Sequence, residues 1–286
     1  MNLIPATLQP PAARNPPGGA AGARLPAKGT VTSKDGTRIA YETAGSGPPL
    51  ILVMGALGSK DQSFAKDYTR EFAKHFTVVN YDRRGRGEST DTKPYAVARE
   101  VEDIEALARA TGGAPNVFGL SSGAALAIEA AASGVPMRRL VAYEPPYMVE
   151  GAMDPPDADF REKLQKFADE DRRSEAVAYF MRTVGVPGFA VAIMKLFPFW
   201  KDLKANAHTL PYDAAVMDRF RVPTDRLARV KVPTLVAGGS KSPANLKQAV
   251  EAAANGIPNA RRQTLPKQNH GVKAKAIAPV VAAFCA

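Results

Sequence analysis

The stretch Gly119-Leu120-Ser121-Ser122-Gly123 (GLSSG) decides the fold prediction for this chain. It fits G-x-S-x-G and lies between a strand pattern, NVFGLS, and an alanine-rich helix pattern, SGAALAIEAAAS. In that context we expect the serine on a sharp turn above a sheet, with flanking glycines that leave room for the backbone. Ser121 is therefore the predicted nucleophile. The alternative is a serine-rich helix cap after an ordinary strand.

The residues beside Ser121 also predict an oxyanion site. A helix that begins at Ser122 points its N-terminus at the nucleophile, and its free N–H groups can stabilise an oxyanion. We expect Ser122 to offer its backbone N–H, while its side chain could cap the helix. The second donor should come from the loop MGALG, residues 54–58, where Ala56 is the natural candidate.

Strand and helix patterns alternate along the chain, which is typical of an α/β sandwich with a mainly parallel sheet. A hairpin with its turn at Lys34-Asp35-Gly36 comes first, and the apolar run PPLILVMG is typical of a buried strand. Between Pro145 and about Val222 the strand patterns give way to helical segments that contain Phe, Trp and Met. These residue types favour burial, so a helical cap with a lined pocket is a better prediction than a loose surface excursion.

These patterns predict three parts of the chain. Residues 1–28 form a flexible tail rich in Pro, Ala and Gly, and residues 29–146 and 223–286 form the α/β core. Residues 147–222 form the cap, inserted between two core strands.

The base is predicted by elimination among three histidines. His75 ends a helix pattern and is expected at the surface, and His208 lies in the predicted cap, where it could touch substrate. His270 follows the last strand pattern in LPKQNHG, on a loop at the same sheet edge as Ser121. An imidazole that titrates near neutral pH suits deprotonation of a serine, so His270 is the predicted base.

Composition excludes several classes of protein. The net charge is +10, but the basic residues are spread along the chain without interleaved aromatics, so no nucleic-acid partner is expected. No apolar run approaches the roughly 20 residues of a membrane span. The single cysteine, Cys285, permits no internal disulfide, and Cys-based or His-rich metal sites are not expected. We expect a cytoplasmic protein that acts without metal or cofactor and has no membrane partner. The sequence does not predict its oligomeric state.

The motifs LILVMGALGS, YDRRGRGEST, GLSSG and QNHG follow the order found in the α/β-hydrolase fold superfamily, which this chain resembles after its tail. The resemblance implies an eight-stranded, mostly parallel sheet with a cap after the sixth strand, and a serine hydrolase of the esterase type. Residues 82–89 match the family's turn after the fourth strand and are interpreted as structural. Met54 departs from the family pattern, because histidine commonly stands there.

A second departure concerns the catalytic acid. The family usually places it after the seventh strand, but here that loop is AGGSKSPA, residues 237–244, which has no carboxylate. We expect the loop to shape the pocket floor, or to start a helix at Pro243 with Ser242 as its N-cap. Glu251 lies within a helix pattern and should face solvent. Glu144 ends the strand pattern RRLVAYEP at the correct sheet edge, and some superfamily members, haloalkane dehalogenases among them, place the acid there.

Glu144 is therefore the predicted acid. Two alternatives stay open: Glu144 anchors the start of the cap, or catalysis uses a Ser–His dyad. The serine argues against epoxide hydrolase and dehalogenase chemistry, and favours cleavage of a carboxylic ester, thioester or lactone through an acyl-serine. The apolar cap predicts a small-molecule substrate with an apolar part. Competing predictions are a cofactor-free perhydrolase or C–C bond hydrolase, and a non-catalytic ligand-binding protein.

Overall fold

The structure is a computed structural model that describes residues 25–151 and 156–286. Most of the predicted tail, residues 1–24, lies outside the described residues, as do residues 152–155 of the predicted cap. No helix in the described ranges is long and apolar enough to cross a membrane.

Within the described residues, eight strands form one sheet in the order β1-β2-β4-β3-β5-β6-β7-β8. β1 pairs with β2 and β2 with β4 in antiparallel fashion, and every other pairing is parallel. This sheet confirms the predicted fold class. The strands are β1 Lys28–Thr32, β2 Arg38–Ala44, β3 Pro49–Val53, β4 Thr77–Tyr81, β5 Asn116–Leu120, β6 Arg139–Tyr143, β7 Thr234–Gly239 and β8 Arg261–Leu265.

Helices cover both faces of the sheet, which is the middle layer of a three-layer sandwich. Five of them connect or follow core strands: α1 Ser63–Phe72, α2 Val97–Ala110, α3 Ser122–Ala132, α10 Ala244–Gly256 and α11 Ala274–Cys285. The apolar residues of α1 and α11 pack with one face, and those of α2, α3 and α10 with the other. Because the central strands are covered on both faces, they consist of continuous apolar runs, as in PLILV of β3.

Between β6 and β7 the described residues form two short 3-10 helices and six α-helices: α4 Phe160–Asp169, α5 Arg173–Thr183, α6 Gly188–Met194, α7 Phe199–Ala205, α8 Leu210–Met217 and α9 Thr224–Arg229. Apolar side chains of α4, α5 and α8 form a third buried cluster, which also contains Leu57 of the loop after β3. This helical segment therefore packs directly over the carboxyl edge of the sheet. The exact bounds of the cap stay a prediction.

Candidate active site

The parallel strands β3, β5, β6, β7 and β8 end at the same edge of the sheet. In sheets of this kind ligands bind outside the carboxyl ends of the strands. The loops after these strands carry Ala56, Ser121, Glu144, Ser242 and His270 in that order. All the predicted site residues therefore lie at one edge.

Ser121 lies on a strained turn between β5 and α3. Its φ of 57° and ψ of −127° place it outside the regions that serine normally occupies. The two glycines of the motif make this turn possible. A Cβ on Gly119 would lie 2.6 Å from the Gly123 carbonyl oxygen, and a Cβ on Gly123 would lie 2.3 Å from that of Val53. Either side chain would force the turn apart, so both positions require glycine.

His270 connects the serine to the carboxylate. Its Nε2 lies 3.1 Å from Ser121 Oγ, and its Nδ1 lies 2.8 Å from Glu144 Oε2. Two tyrosine hydroxyls fix the backbone of its loop: Tyr143 donates to the Asn269 carbonyl at 2.7 Å, and Tyr68 donates to the Val272 carbonyl at 2.5 Å. The imidazole is thus held between the two groups, and 43% of its side-chain surface stays exposed.

Glu144 is fully buried and adopts a left-handed backbone conformation, with φ of 45°. Its Oε1 accepts hydrogen bonds from the Gly239 N–H at 2.7 Å and from the Ser242 hydroxyl at 2.5 Å. Both donors belong to the loop after β7, the one that lacks a carboxylate. A Cβ on Gly238 would lie only 3.2 Å from the same oxygen, so the missing side chain leaves room for Glu144. This loop therefore holds a carboxylate that comes from the end of the neighbouring strand, β6.

The prediction that Ser242 caps a helix is wrong. The residue that precedes α10 is Pro243, and the Ser242 hydroxyl is committed to Glu144. A buried carboxylate within reach is a stronger acceptor for a hydroxyl donor than a neutral group, because a hydrogen bond to an ionised partner is roughly twice as strong.

The environment of Glu144 keeps it ionised at neutral pH. Desolvation raises the pKa of this carboxyl, but the hydrogen bonds from His270, Gly239 and Ser242 outweigh it and hold the pKa below its ordinary value. An ionised carboxylate accepts a hydrogen bond from Nδ1–H, so the ring proton is held on Nδ1. That tautomer leaves Nε2 free to accept the proton of Ser121. The arrangement can therefore activate the serine.

The two residues predicted to donate N–H groups to an oxyanion, Ala56 and Ser122, both belong to segments next to Ser121. Ala56 lines the same cavity as Ser121, and a Cβ on Gly55 would lie 3.1 Å from Ser121 Cβ, so this loop runs close against the nucleophile. Ser122 is the first residue of α3, and the first N–H groups of a helix have no acceptor within it. Met54 is buried in the apolar core with 1% of its surface exposed, and contributes no polar group.

A cavity of about 810 Å³ opens onto Ser121 and His270. Its walls include apolar side chains from the segment between β6 and β7, among them Phe180, Met181, Val184, Met217 and Phe220. Most of the lining residues are apolar or glycine, although charged residues such as Asp67, Arg70 and Lys273 also line the cavity. A mainly apolar lining with a smaller number of polar groups is typical of a small-molecule site.

Sequence reasoning missed a buried ionic cluster beneath this site. Asp213 of α8 accepts hydrogen bonds from Arg83 at 2.7 Å, from Arg86 at 2.6 Å and from the Ser122 hydroxyl at 2.9 Å. The Ser122 side chain therefore does not cap α3, contrary to one prediction. The three arginines of YDRRGRGEST were the available signal, because a fold buries guanidinium groups only when carboxylates pair with them.

The remaining candidates lie away from the serine. His208 Nε2 contacts the Gly85 carbonyl at 2.7 Å instead of the cavity, and burial lowers its pKa. His75 is exposed, as predicted. Glu251 is also exposed, as predicted, and pairs with Arg262 at 2.8 Å.

Comparison with known proteins gives consistent results. The model of the alpha/beta hydrolase family matches residues 50–278. The crystal structure of an alpha/beta hydrolase from Sphaerobacter thermophilus is 49% identical with a TM-score of 0.85, and the match covers 90% of this chain and 100% of that one. A hydrolase from Pseudomonas aeruginosa, 23% identical with a TM-score of 0.71 over 93% of this chain and 99% of that one, shares the fold.

A curated relative matches over a shorter segment. The uncharacterized hydrolase YraK of Bacillus subtilis is 36% identical over 98 residues, which is 33% of this chain. The match spans about a third of that relative's length, 35%.

Proposed function

Since this chain belongs to the alpha/beta hydrolase family and is an enzyme of hydrolase type, we propose that it cleaves carboxylic esters, thioesters or lactones through an acyl-serine. The observation that carries the proposal is the continuous path Ser121 Oγ, His270 and Glu144, with separations of 3.1 and 2.8 Å. Such a path is the arrangement that makes a serine hydroxyl nucleophilic at neutral pH.

The reaction takes place in two halves. His270 Nε2 removes the proton of Ser121 as Oγ attacks the carbonyl carbon, and Glu144 stabilises the resulting imidazolium. The N–H groups of Ala56 and Ser122 donate to the oxyanion. The tetrahedral intermediate collapses, the C–O or C–S bond breaks, and His270 protonates the leaving alcohol or thiol. Water, deprotonated by His270, then releases the acid and restores Ser121.

The cavity supports a small-molecule substrate with an apolar acyl or alcohol part. Its volume of about 810 Å³ holds a medium-sized ligand, and the cap contributes aromatic, methionine and valine side chains to its walls. Burying each methylene of an acyl chain against such walls is worth about 0.8 kcal/mol. Longer acyl chains should therefore bind more tightly until the cavity is full.

Labelling with a fluorophosphonate tests this function. We expect a covalent adduct that peptide mapping places on Ser121, with Ser122 unmodified, and no adduct in Ser121→Ala. Turnover on a panel of chromogenic esters, thioesters and lactones then identifies the leaving group. A protein that is neither labelled nor active on the panel is a ligand-binding member of the fold. Activity confined to peracid formation or C–C cleavage assigns the same residues to those reactions.

A further inference from the structure

One buried ion pair contacts both segments that carry the proposed oxyanion donors. Arg86 donates through Nη1 to the Gly55 carbonyl at 2.8 Å and to the Gly58 carbonyl at 3.2 Å. Its Nη2 donates to Asp213 at 2.6 Å, and its Nε donates to the Thr209 hydroxyl at 3.0 Å. The guanidinium is thus bonded to the loop after β3 on one side and to the cap on the other.

The contact with Gly55 fixes the orientation of the neighbouring N–H. The Gly55 C=O and the Ala56 N–H belong to one peptide unit, which is planar and trans, so they point in opposite directions. Arg86 holds the C=O, and the N–H must point away from Arg86. Ala56 lines the cavity with Ser121, so an N–H that points away from Arg86 is available to the site. The Gly58 N–H also donates to the Gly55 carbonyl, at 3.2 Å, and Arg86 adds the shorter, charged hydrogen bond.

Asp213 makes the corresponding contact with the other donor segment. Its Oδ1 accepts a hydrogen bond from the Ser122 hydroxyl at 2.9 Å, while its Oδ2 accepts one from Arg86 Nη2. Ser122 begins α3, so this bond fixes the residue whose N–H is the second proposed donor. Asp213 lies on α8, and the cap therefore supplies the carboxylate that joins the two segments.

The burial of this pair argues for a role beyond stability. Arg86 and Asp213 are each fully buried, and removing two charges from water costs several kcal/mol per ion. Apolar residues of similar volume often serve stability equally well, so a buried pair is weak evidence for stability. An arginine fork, in contrast, can hold two acceptors in a fixed plane, which a lysine or an apolar side chain cannot do. Met54 offers no polar side chain for this purpose.

We propose that Arg86 and Asp213 are positioning residues that hold the Ala56 and Ser122 N–H groups in place for the oxyanion. The oxyanion hole is then formed only when α8 of the cap is docked on the core. This inference rests on the proposed function, because it concerns the same reaction.

The test compares Arg86→Lys and Asp213→Asn with Asp103→Asn. Asp103 forms a second buried ion pair, with Arg84 at 2.7 Å. Arg84 also donates hydrogen bonds to Asp35 and to the Arg99 carbonyl, and these contacts lie away from the proposed active site. Loss of a whole oxyanion donor costs about 10² to 10³ in kcat. In Arg86→Lys and Asp213→Asn the donors are misplaced but not lost, so we expect kcat to fall about 10-fold to 100-fold. KM should stay within about twofold of the value for the parent protein. Asp103→Asn should keep its kcat.

Binding of inhibitors separates positioning from a general loss of structure. A trifluoromethyl ketone forms an oxyanion on Ser121, so its affinity should fall by the same factor as kcat/KM in Arg86→Lys and Asp213→Asn. The carboxylic acid product should bind as it does to the parent protein. If both variants keep their kcat and ketone affinity while losing as much thermal stability as Asp103→Asn, the pair is merely structural and the proposal is wrong.

A third variant covers the case in which the first two do not fold. Ser122→Ala removes one hydroxyl and leaves Asp213 paired with both arginines, and it should lower kcat and ketone affinity by about threefold to tenfold. If neither kcat nor the ketone affinity changed, the proposal would be overturned.

Turnover by the parent protein shows whether the proposed function or only the positioning inference has failed. An inactive parent protein contradicts the serine hydrolase and this inference together, whereas an active parent with active variants contradicts only the inference.

Discussion

The Glu144 carboxylate reaches His270 across the end of β7, with 2.8 Å between Oε2 and Nδ1. Glu144 follows β6 and His270 follows β8, so the carboxylate spans the strand between them. Gly238 and Gly239 end that strand and have no side chains to block the path. The Gly239 N–H and the Ser242 hydroxyl instead bind Oε1. The carboxylate that contacts His270 thus comes from the strand next to β7, and the end of β7 has both the space and the donors to hold it.

The hydrogen bonds to Glu144 should make stability depend on pH. Its pKa in the folded protein lies below the ordinary 4.5. The ionised carboxylate therefore stabilises the fold above about pH 4.5, and this contribution is lost as pH falls through the lower folded-state value. Ser242→Ala removes one donor and should cost about 1.5–3 kcal/mol of unfolding free energy at neutral pH.

Urea unfolding of Ser242→Ala from pH 8 to pH 3 measures this effect. The difference from the parent protein should be constant down to about pH 5 and shrink below 4.5. Ser240→Ala is the control, because the Ser240 hydroxyl accepts a hydrogen bond from an uncharged group, the backbone N–H of Lys267, at 2.8 Å. Its cost should not change with pH. A constant difference for Ser242→Ala would show that Glu144 titrates normally.

Gly55 should tolerate no side chain, because a Cβ there would meet Leu120 and Ser121. A Cβ there would be 2.9 Å from the Leu120 carbonyl oxygen and 3.1 Å from Ser121 Cβ. Gly55→Ala must displace the oxyanion loop or Ser121, and a displacement of about 1 Å can cost about 10² in rate. We expect kcat/KM for a chromogenic ester to fall by about that factor.

Gly188→Ala is the matched control for Gly55→Ala. The Cβ of the new alanine would lie 4.0 Å from its nearest neighbour, Arg182 Cδ. Its activity should equal that of the parent protein. Equal activity of the two variants would mean that the loop after β3 is not close to the reacting atoms.

Val184 should limit the length of the substrate chain, since it lines the cavity between α5 and α6. Val184→Trp fills part of this space. We expect kcat/KM for an octanoate ester to fall at least about tenfold while the acetate ester is hydrolysed nearly normally, because two or more methylenes lose their contacts.

Ala192→Trp places the same side chain on the exposed surface of α6. It should leave the chain-length profile unchanged. If Val184→Trp lowers the rates for acetate and octanoate equally, the acyl chain does not occupy this part of the cavity.

The sequence was informative wherever the signal is local. Apolar runs predicted the buried strands, and the run PPLILVMG contains β3, Pro49–Val53. Ser121, Glu144 and His270 could be expected at one place because the carboxyl ends of parallel strands meet at one sheet edge. Their distances could not be predicted, since these depend on loop conformations such as the positive φ of Glu144.

Contacts between distant segments were beyond the sequence. Arg86 and Asp213 are separated by 127 positions, and a buried ion pair has no periodic pattern that would connect them. The YDRRGRGEST turn was therefore interpreted as structural only. Ser242 is a second residue whose contacts could not be predicted from the sequence, because its hydroxyl could form either of two hydrogen bonds. It could cap α10 or bind a carboxylate, and only the position of Glu144 decides between them.

Turnover of Glu144→Gln, measured beside Glu251→Gln on one chromogenic ester, tests the displaced acid most directly. Glutamine keeps the size of the side chain but not the charge that orients His270, and loss of the acid from such a path can cost about 10⁴ in kcat. We predict a fall of that order in Glu144→Gln, with unchanged folding and unchanged activity of the exposed control Glu251→Gln. A Glu144→Gln protein that folds and hydrolyses the ester within about threefold of the parent rate would contradict the account.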